Sequence, residues 1–343
     1  MALAAHAIRE VDGSDAGRVR AEVLSGVTPA VLRGAVSSWP AVAAGRESAQ
    51  AMIAYLRRFD NGAPVNAILI PPQAGGRLHY NADLSGVNFL RNRLSVSSVG
   101  EQVLRYGAFP HPPAVAAQTA RVDECLPGFG AENPLALLEP YVRPRIWLGN
   151  AIVTPAHVDE THNIACVVAG RRRFTLFPPE QVTNLYIGPI DITPTGAPVA
   201  LPSLTEPDFA RYPRLRAAFA QAQTAELAPG DALYIPALWW HQVESLSACN
   251  VLINYWWHPI AGEAVGEATV FDSLLHCLLT LRRMPPATRA AWRALFEHYV
   301  FGPEAEANAH IPSERRGVLG ELTSERVREL RAALGERLRS GRG

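Results

Sequence analysis

From about residue 65 to residue 258 the chain reads as short apolar runs, rich in β-branched and aromatic residues, each closed by proline or glycine. Such runs are too short for helices, and several of them in succession build a sandwich or a barrel. The clearest are Val65 to Ile70, Arg145 to Leu148, Asn163 to Val168, Arg173 to Phe177, Ala232 to Ile235 and Asn250 to Trp257. Ala169-Gly170 reads as a hairpin turn, and Pro229-Gly230-Asp231 as a turn feeding the next strand. The flanks differ. Residues 15–60 hold helix-like segments, notably Glu47 to Phe59. After Pro259 helical spacing returns in Val270 to Leu281, Thr288 to Val300 and a charged last helix, Thr323 to Leu338. The expected organisation is mainly β with flanking helices: a helical or mixed flank at 1–62, a β domain at 63–258 and a helical region at 259–343.

Composition narrows the function classes. Thirty-two basic and 32 acidic residues balance, so no global electrostatic footprint points to nucleic acid or an anionic membrane. No apolar stretch approaches the roughly 20 residues of a spanning helix, and the start, with Arg9 and Glu10 close behind it, lacks the basic n-region of a signal peptide. The four cysteines form no C-x-x-C pair and read as buried free thiols. A cytoplasmic protein with no nucleic-acid or membrane partner is expected. All 32 basic residues are arginine, so any task usually given to lysine falls elsewhere.

The chemistry concentrates in Thr154-Pro-Ala-His157-Val-Asp159-Glu-Thr-His-Asn163. On a strand, residues i and i+2 share a face, so one imidazole and one carboxylate can converge on a metal. His241, after the apolar run Asp231 to Pro236 and the pair Trp239-Trp240, offers a third ligand. Two histidines and one carboxylate on one face of an octahedron leave three open positions, the arrangement of non-haem Fe(II) oxygenases. An H-x-D pair alone is common by chance. The discriminating signal is order: His-x-Asp, a Gly-Arg-Arg-Arg-Phe hairpin, Phe177-Pro-Pro, Pro229-Gly-Asp and Trp-Trp-His241 follow one another. His162, three residues from Asp159, should point to the other face, and the remaining histidines read as surface or packing residues.

Residues 65–258 resemble the JmjC-type, cupin-like 2-oxoglutarate oxygenases, among them the asparaginyl hydroxylase of hypoxia-inducible factor. The motifs are Thr154-Pro-Ala-His-Val-Asp-Glu, Asn163, Phe177-Pro-Pro, Trp239-Trp-His-Gln-Val-Glu-Ser-Leu and Asn254-Tyr-Trp256. The resemblance implies a double-stranded β-helix, or jelly roll, whose mouth holds Fe(II) on His157, Asp159 and His241. It implies that 2-oxoglutarate chelates the metal, with Thr154, Asn163 and Asn254 contacting this cosubstrate, Tyr80 a weaker match for a phenol doing the same, and Trp256 nearby. The sequence departs from the family at Arg172, which stands where a lysine commonly pairs with the far carboxylate of the acid. Arginine can serve there bidentately. Arg171 and Arg173 leave the assignment open, although alternation puts Arg172 on the face opposite both.

The implied reaction consumes O₂ and 2-oxoglutarate, yields succinate, and hydroxylates a side chain of a protein or peptide, or a small molecule. Demethylation of a modified lysine or arginine is a further outcome. Rival readings are another cupin-type metalloenzyme, such as a 2-oxoglutarate-independent dioxygenase or an isomerase, and a non-catalytic cupin binding protein. The segment from about Asn184 to Ala228, dense in proline, glycine and threonine, joins the hairpin carrying two ligands to the strand carrying the third, and should border the mouth. Val270, Leu274, Leu275, Leu278 and Leu281, and Trp292, Leu295, Phe296 and Tyr299, form two apolar stripes. One can pack on the barrel, and the other predicts a homodimer.

Overall fold

A computed structural model describes residues 5–258 and 270–340 of the chain, which divides into two compact units, Met1–Glu267 and Ala268–Gly343. The boundary expected at 258–259, and the tail's expected start near Gly262, adjoin or fall on residues outside the described ones.

The first unit carries the strands. In chain order they are β1 (His6–Ala7), β2 (Glu10–Asp12), β3 (Ala30–Arg33), β4 (Val65–Ile70), β5 (Leu90–Leu94), β6 (Ala114–Arg121) and β7 (Pro144–Gly149). There follow β8 (Val153–His157), β9 (His162–Ala169), β10 (Arg172–Phe177), β11 (Gln223–Leu227), β12 (Ala232–Ile235), β13 (Trp240–Ser245) and β14 (Asn250–Trp257). They form a five-stranded sheet in the order β1-β11-β10-β13-β8 and a nine-stranded sheet in the order β2-β3-β12-β9-β14-β7-β6-β4-β5. This is the double-stranded β-helix, mainly β with flanking helices. The flank at 1–62 adds β1 to the smaller sheet and β2 and β3 to the larger, besides its helices.

Alternation along two central strands shows why this sequence makes layers. On β9, Ala165 and Val167 pack between the sheets with Phe174, Leu176, Leu233 and Leu252. Ile164, Cys166 and Val168 point the other way, into a core shared with Met52, Leu56, Val99 and Val103 from helices that cover the outer face. A strand buried on both faces reads as a continuous apolar run, and each fully buried aliphatic side chain contributes about 1.5–3 kcal/mol. On β14, Leu252, Asn254 and Trp256 take the inner face, while Val251, Ile253 and Tyr255 take the outer. Polar residues at inner positions therefore mark a site.

Two local readings need correction. The single helix expected over Glu47 to Phe59 is two, Pro40–Glu47 and Ala49–Arg57, because Ser48 is extended and its hydroxyl caps the second helix by accepting from the Ala51 amide at 3.0 Å. The region read as strands also contains a helix, Val96–Tyr106, capped by Ser95, which buries Val96, Val99, Gly100 and Val103. Gly100 is required there: a Cβ would meet the Ile53 side chain at 2.9 Å. Within the long segment after β10 a short helix runs over Leu215–Ala220, and Gln223 begins β11.

The second unit is helical, with Val270–Thr280, Pro286–Phe296, Glu304–Asn308 and Ser324–Ser340. Val270, Leu274, Leu275, Trp292, Leu295 and Tyr299 are all exposed. No helix among the described residues is long and apolar enough to cross a membrane.

Candidate metal centre and its cavity

His157 and His241 are cross-strand partners on β8 and β13, with ring centroids 4.2 Å apart. Asp159 lies two residues beyond the end of β8, where its carbonyl accepts from the Leu238 amide at 2.8 Å. Its Oδ2 stands 3.6 Å from His241 Nε2. One donor atom from each of the three residues falls within 4.8 Å of the others. Each imidazole is oriented from behind: His157 Nδ1 lies 2.9 Å from the Pro155 carbonyl and His241 Nδ1 2.9 Å from the Trp239 carbonyl. A carbonyl only accepts, so both Nδ1 atoms carry the proton and both Nε2 lone pairs are left for a ligand. Burial and the adjacent His241 hold His157 below the usual histidine range, which keeps it neutral as a ligand must be. The donor set fits a divalent transition metal.

The third residue has its own support. Trp256 Nε1 donates to Asp159 Oδ2 at 3.2 Å, and the Trp256 ring meets Trp147 edge to face, centroids 6.2 Å apart. Trp256 thus holds the Asp159 carboxylate, in addition to lining the cavity where it was expected.

Behind the triad lies an inner chamber of about 50 Å³ whose walls include Thr154, Asn163, Arg172 and Asn254, closed by Phe174, Ile235 and Leu252. Arg172 is buried, and no carboxylate pairs with it among the described residues. Its Nε has no partner, and burial alone pushes the guanidinium down to about 10. Arg171 and Arg173 are on the opposite face, where Arg173 donates to Glu226 at 2.6 Å and reaches Glu244 at 3.5 Å. The amides form a directed chain: Trp147 Nε1 donates to Asn254 Oδ1 at 2.9 Å, and Asn254 Nδ2 donates to Asn163 Oδ1 at 3.3 Å. With both amide oxygens already accepting, what faces the chamber is rich in donors. A carboxylate fits such a lining, because a buried cation without an anion is costly.

Tyr80 is not brought to this chamber. Its hydroxyl donates to the Pro189 carbonyl at 2.6 Å, which pins the long segment after β10. His162, on the other face as alternation requires, takes a 3.1 Å bond with the Tyr234 hydroxyl and stacks on that ring. Sequence reasoning passed over Trp147, whose indole starts the amide chain. Its place in the strand signal Arg145 to Leu148 was legible, whereas its pairing with Leu252 across the sheet was not.

An outer cavity of about 210 Å³ opens beside His157 and Asp159. The expected loop borders it through Thr193, Pro194, Thr195 and Gly196. Val199 bridges to His157 and the Ala200 amide donates to the Ala156 carbonyl at 2.8 Å, tethering the loop beside the first ligand.

Comparison with known proteins agrees with this geometry. A family model described as a cupin-like domain matches residues 16–263. This chain belongs to the JmjC-type, cupin-like family. The human bifunctional peptidase and (3S)-lysyl hydroxylase JMJD7 is 27% identical over 259 residues, 67% of this chain and 77% of that protein. The Arabidopsis thaliana lysine-specific demethylase JMJ31 is 36% identical over 112 residues, 32% of this chain and 20% of its own length. Human HSPB1-associated protein 1 is 34% identical over 153 residues, covering 42% of this chain and 30% of that one. Against the last two, the chain spans well under half of the relative.

Proposed function

We propose that this protein is an Fe(II)- and 2-oxoglutarate-dependent oxygenase that hydroxylates a side chain of a protein or peptide, or a small molecule. One observation carries the reading: a two-histidine, one-carboxylate set opens onto the same chamber as a buried guanidinium that no carboxylate pairs with among the described residues. Fe(II) bound with 2-oxoglutarate would supply the hard chemistry, decarboxylation of the acid to succinate and CO₂ coupled to insertion of an oxygen atom from O₂ into a C–H bond.

The chain's own residues would do the rest. His157, Asp159 and His241 would hold the metal, with the Pro155 and Trp239 carbonyls fixing the imidazoles and Trp256 fixing the carboxylate. Arg172 would grip the far carboxylate of 2-oxoglutarate, Thr154 and Asn163 would donate to the same molecule, and Asn254 would hold the Asn163 amide in register. Phe174, Ile235 and Leu252 would keep water out. Hydroxylation is preferred over demethylation because the relative aligned over 67% of this chain is named a hydroxylase. The test is succinate formation that requires both Fe(II) and 2-oxoglutarate. Metal binding without such turnover would overturn the reading in favour of another cupin chemistry.

A cytoplasmic location and a homodimer through the C-terminal helices belong to the same proposal. The dimer is motivated by the exposed apolar residues of those helices.

A further inference from the structure

Beyond the triad, the inner face of the nine-stranded sheet continues outward as polar side chains set by long-range register. Asn66 on β4 pairs with Arg93 on β5, and Ile68 with Arg91. Arg93 Nη1 donates to Asn66 Oδ1 at 2.9 Å, and Nη2 to the Pro64 carbonyl at 2.6 Å. Asn66, Gln118 and Thr119 wall both the outer cavity, which reaches His157 and Asp159, and a neighbouring one of about 250 Å³. Sharing these walls, the two cavities adjoin and together lead away from His157 and Asp159.

Arginine dominates the charge along this groove. Arg91 lines the first part, and Arg93, Arg121 and Arg145 line the second. The carboxylates on these walls are Asp159, itself a ligand, and Glu124, paired with Arg121 at 3.2 Å. Arg145 donates to the Thr119 carbonyl at 3.1 Å and stands 5.4 Å from the Trp256 ring. Arg91 lies over Phe89, and neither it nor Arg93 has an ion pair among the described residues. A cationic substrate side chain would enter against three unneutralised guanidinium groups, whereas a carboxylate would be met by them. The edge of the sheet favours a chain over a small acid: among the described residues β5 pairs with β4 alone, which leaves a strand edge beside the groove for main-chain hydrogen bonds.

We propose that this groove is the prime-substrate site and that it takes an acidic peptide, whose aspartate or glutamate carboxylates pair with Arg91, Arg93 and Arg145 while a neighbouring side chain reaches the metal. The inference rests on the oxygenase reading above, and it names the substrate class.

The test uses the full chain with Fe(II) and 2-oxoglutarate under nitrogen. Binding of two fluorescent degenerate peptide libraries is compared, one with aspartate and glutamate fixed around a random centre, the other with lysine at the same positions. The acidic library should bind about tenfold more tightly. Arg91→Glu should erase or reverse that preference, and Arg93→Gln should weaken it. Arg105→Glu, the same charge reversal on an exposed residue outside both cavities, should leave it intact, and unchanged melting temperatures show that each variant is folded. Equal or tighter binding of the lysine library, binding of neither, or a preference untouched by Arg91→Glu would overturn the proposal. So would competition by free glutamate as effective as by the peptides, or tighter binding of a single-stranded oligonucleotide. Peptide-free succinate formation, measured separately, reports on the oxygenase reading, so that the two can fail independently.

Discussion

The interior of the barrel and the surface of the C-terminal helices are incomplete in opposite ways. The barrel buries a positive charge, Arg172, that no carboxylate answers among the described residues, whereas the helices leave Leu274, Leu275, Trp292 and Leu295 exposed. A buried, unpaired cation costs folding free energy unless an anion arrives. An exposed apolar stripe costs little in the monomer and acquires value when something covers it. On the proposed reading the first is a binding site that trades stability for affinity and the second an interface, and the two should respond differently to substitution.

The largest effect is expected at the triad, which is proposed to hold the metal. His157→Ala, Asp159→Ala or His241→Ala should each abolish Fe(II)-dependent 2-oxoglutarate turnover while leaving a folded protein, as circular dichroism and a succinate assay would show. Full turnover in any one of them would remove that residue from the ligand set.

Arg172 sharpens the comparison more directly. Arg172→Ala should raise the 2-oxoglutarate requirement by the equivalent of about 2–5 kcal/mol, since a charge-assisted bond is lost and the acid is left unpaired. Arg172→Met should do the same to binding, yet stabilise the ligand-free protein by about 1–4 kcal/mol, because an apolar side chain of similar length replaces a buried charge. Thermal melts with and without 2-oxoglutarate separate these: the acid should raise the parent's melting temperature and not the variant's. A variant less stable than the parent in the absence of the acid would mean that Arg172 holds the barrel together.

On the tail, Leu274→Glu combined with Leu275→Glu should weaken self-association at least roughly tenfold by light scattering, with succinate formation unchanged. A parent that is monomeric at micromolar concentration would break the comparison, because the exposed stripe would then be only a surface.

The smallest effect concerns pH. Burial, and then the Arg77 cation, hold His79 below its ordinary value of 6.5, and its Nε2 lies 3.3 Å from the Ala200 carbonyl of the mouth loop. A histidine kept neutral in the fold is protonated first in the unfolded chain, so stability should fall as pH drops through 6.5 toward the lower folded value. His79→Asn should flatten this slope in denaturant titrations across that range, and an identical slope would assign the acid sensitivity to other groups.

What could be read without coordinates was whatever depends on local period. Two-residue alternation put Arg172 on the face opposite Arg171 and Arg173 and turned His162 away from His157, and the order of the motifs announced the family. The same logic assigned Asp159 to a strand, although the strand ends at His157 and the irregular stretch after it presents the carboxylate. Ser48 and Ser95 are legible caps, the first hidden inside one continuous helical run and the second by the surrounding strand signals.

Pairings between distant segments lay beyond that reading, because register between strands far apart in sequence is set by packing and turns and carries no local signature. Only the tertiary structure placed the Trp256 indole on Asp159, spent the Tyr80 hydroxyl on Pro189, recruited β1 to β3 into both sheets, and brought Arg91 and Arg93 to the mouth of a site more than sixty residues away in the chain. By itself the sequence determined the class of fold and the residues able to hold a metal, since those follow from side-chain type and a period of two. The donors that orient the metal ligands and the charge that awaits a substrate were decided by strands closing into a barrel, which makes neighbours of residues that the chain keeps apart.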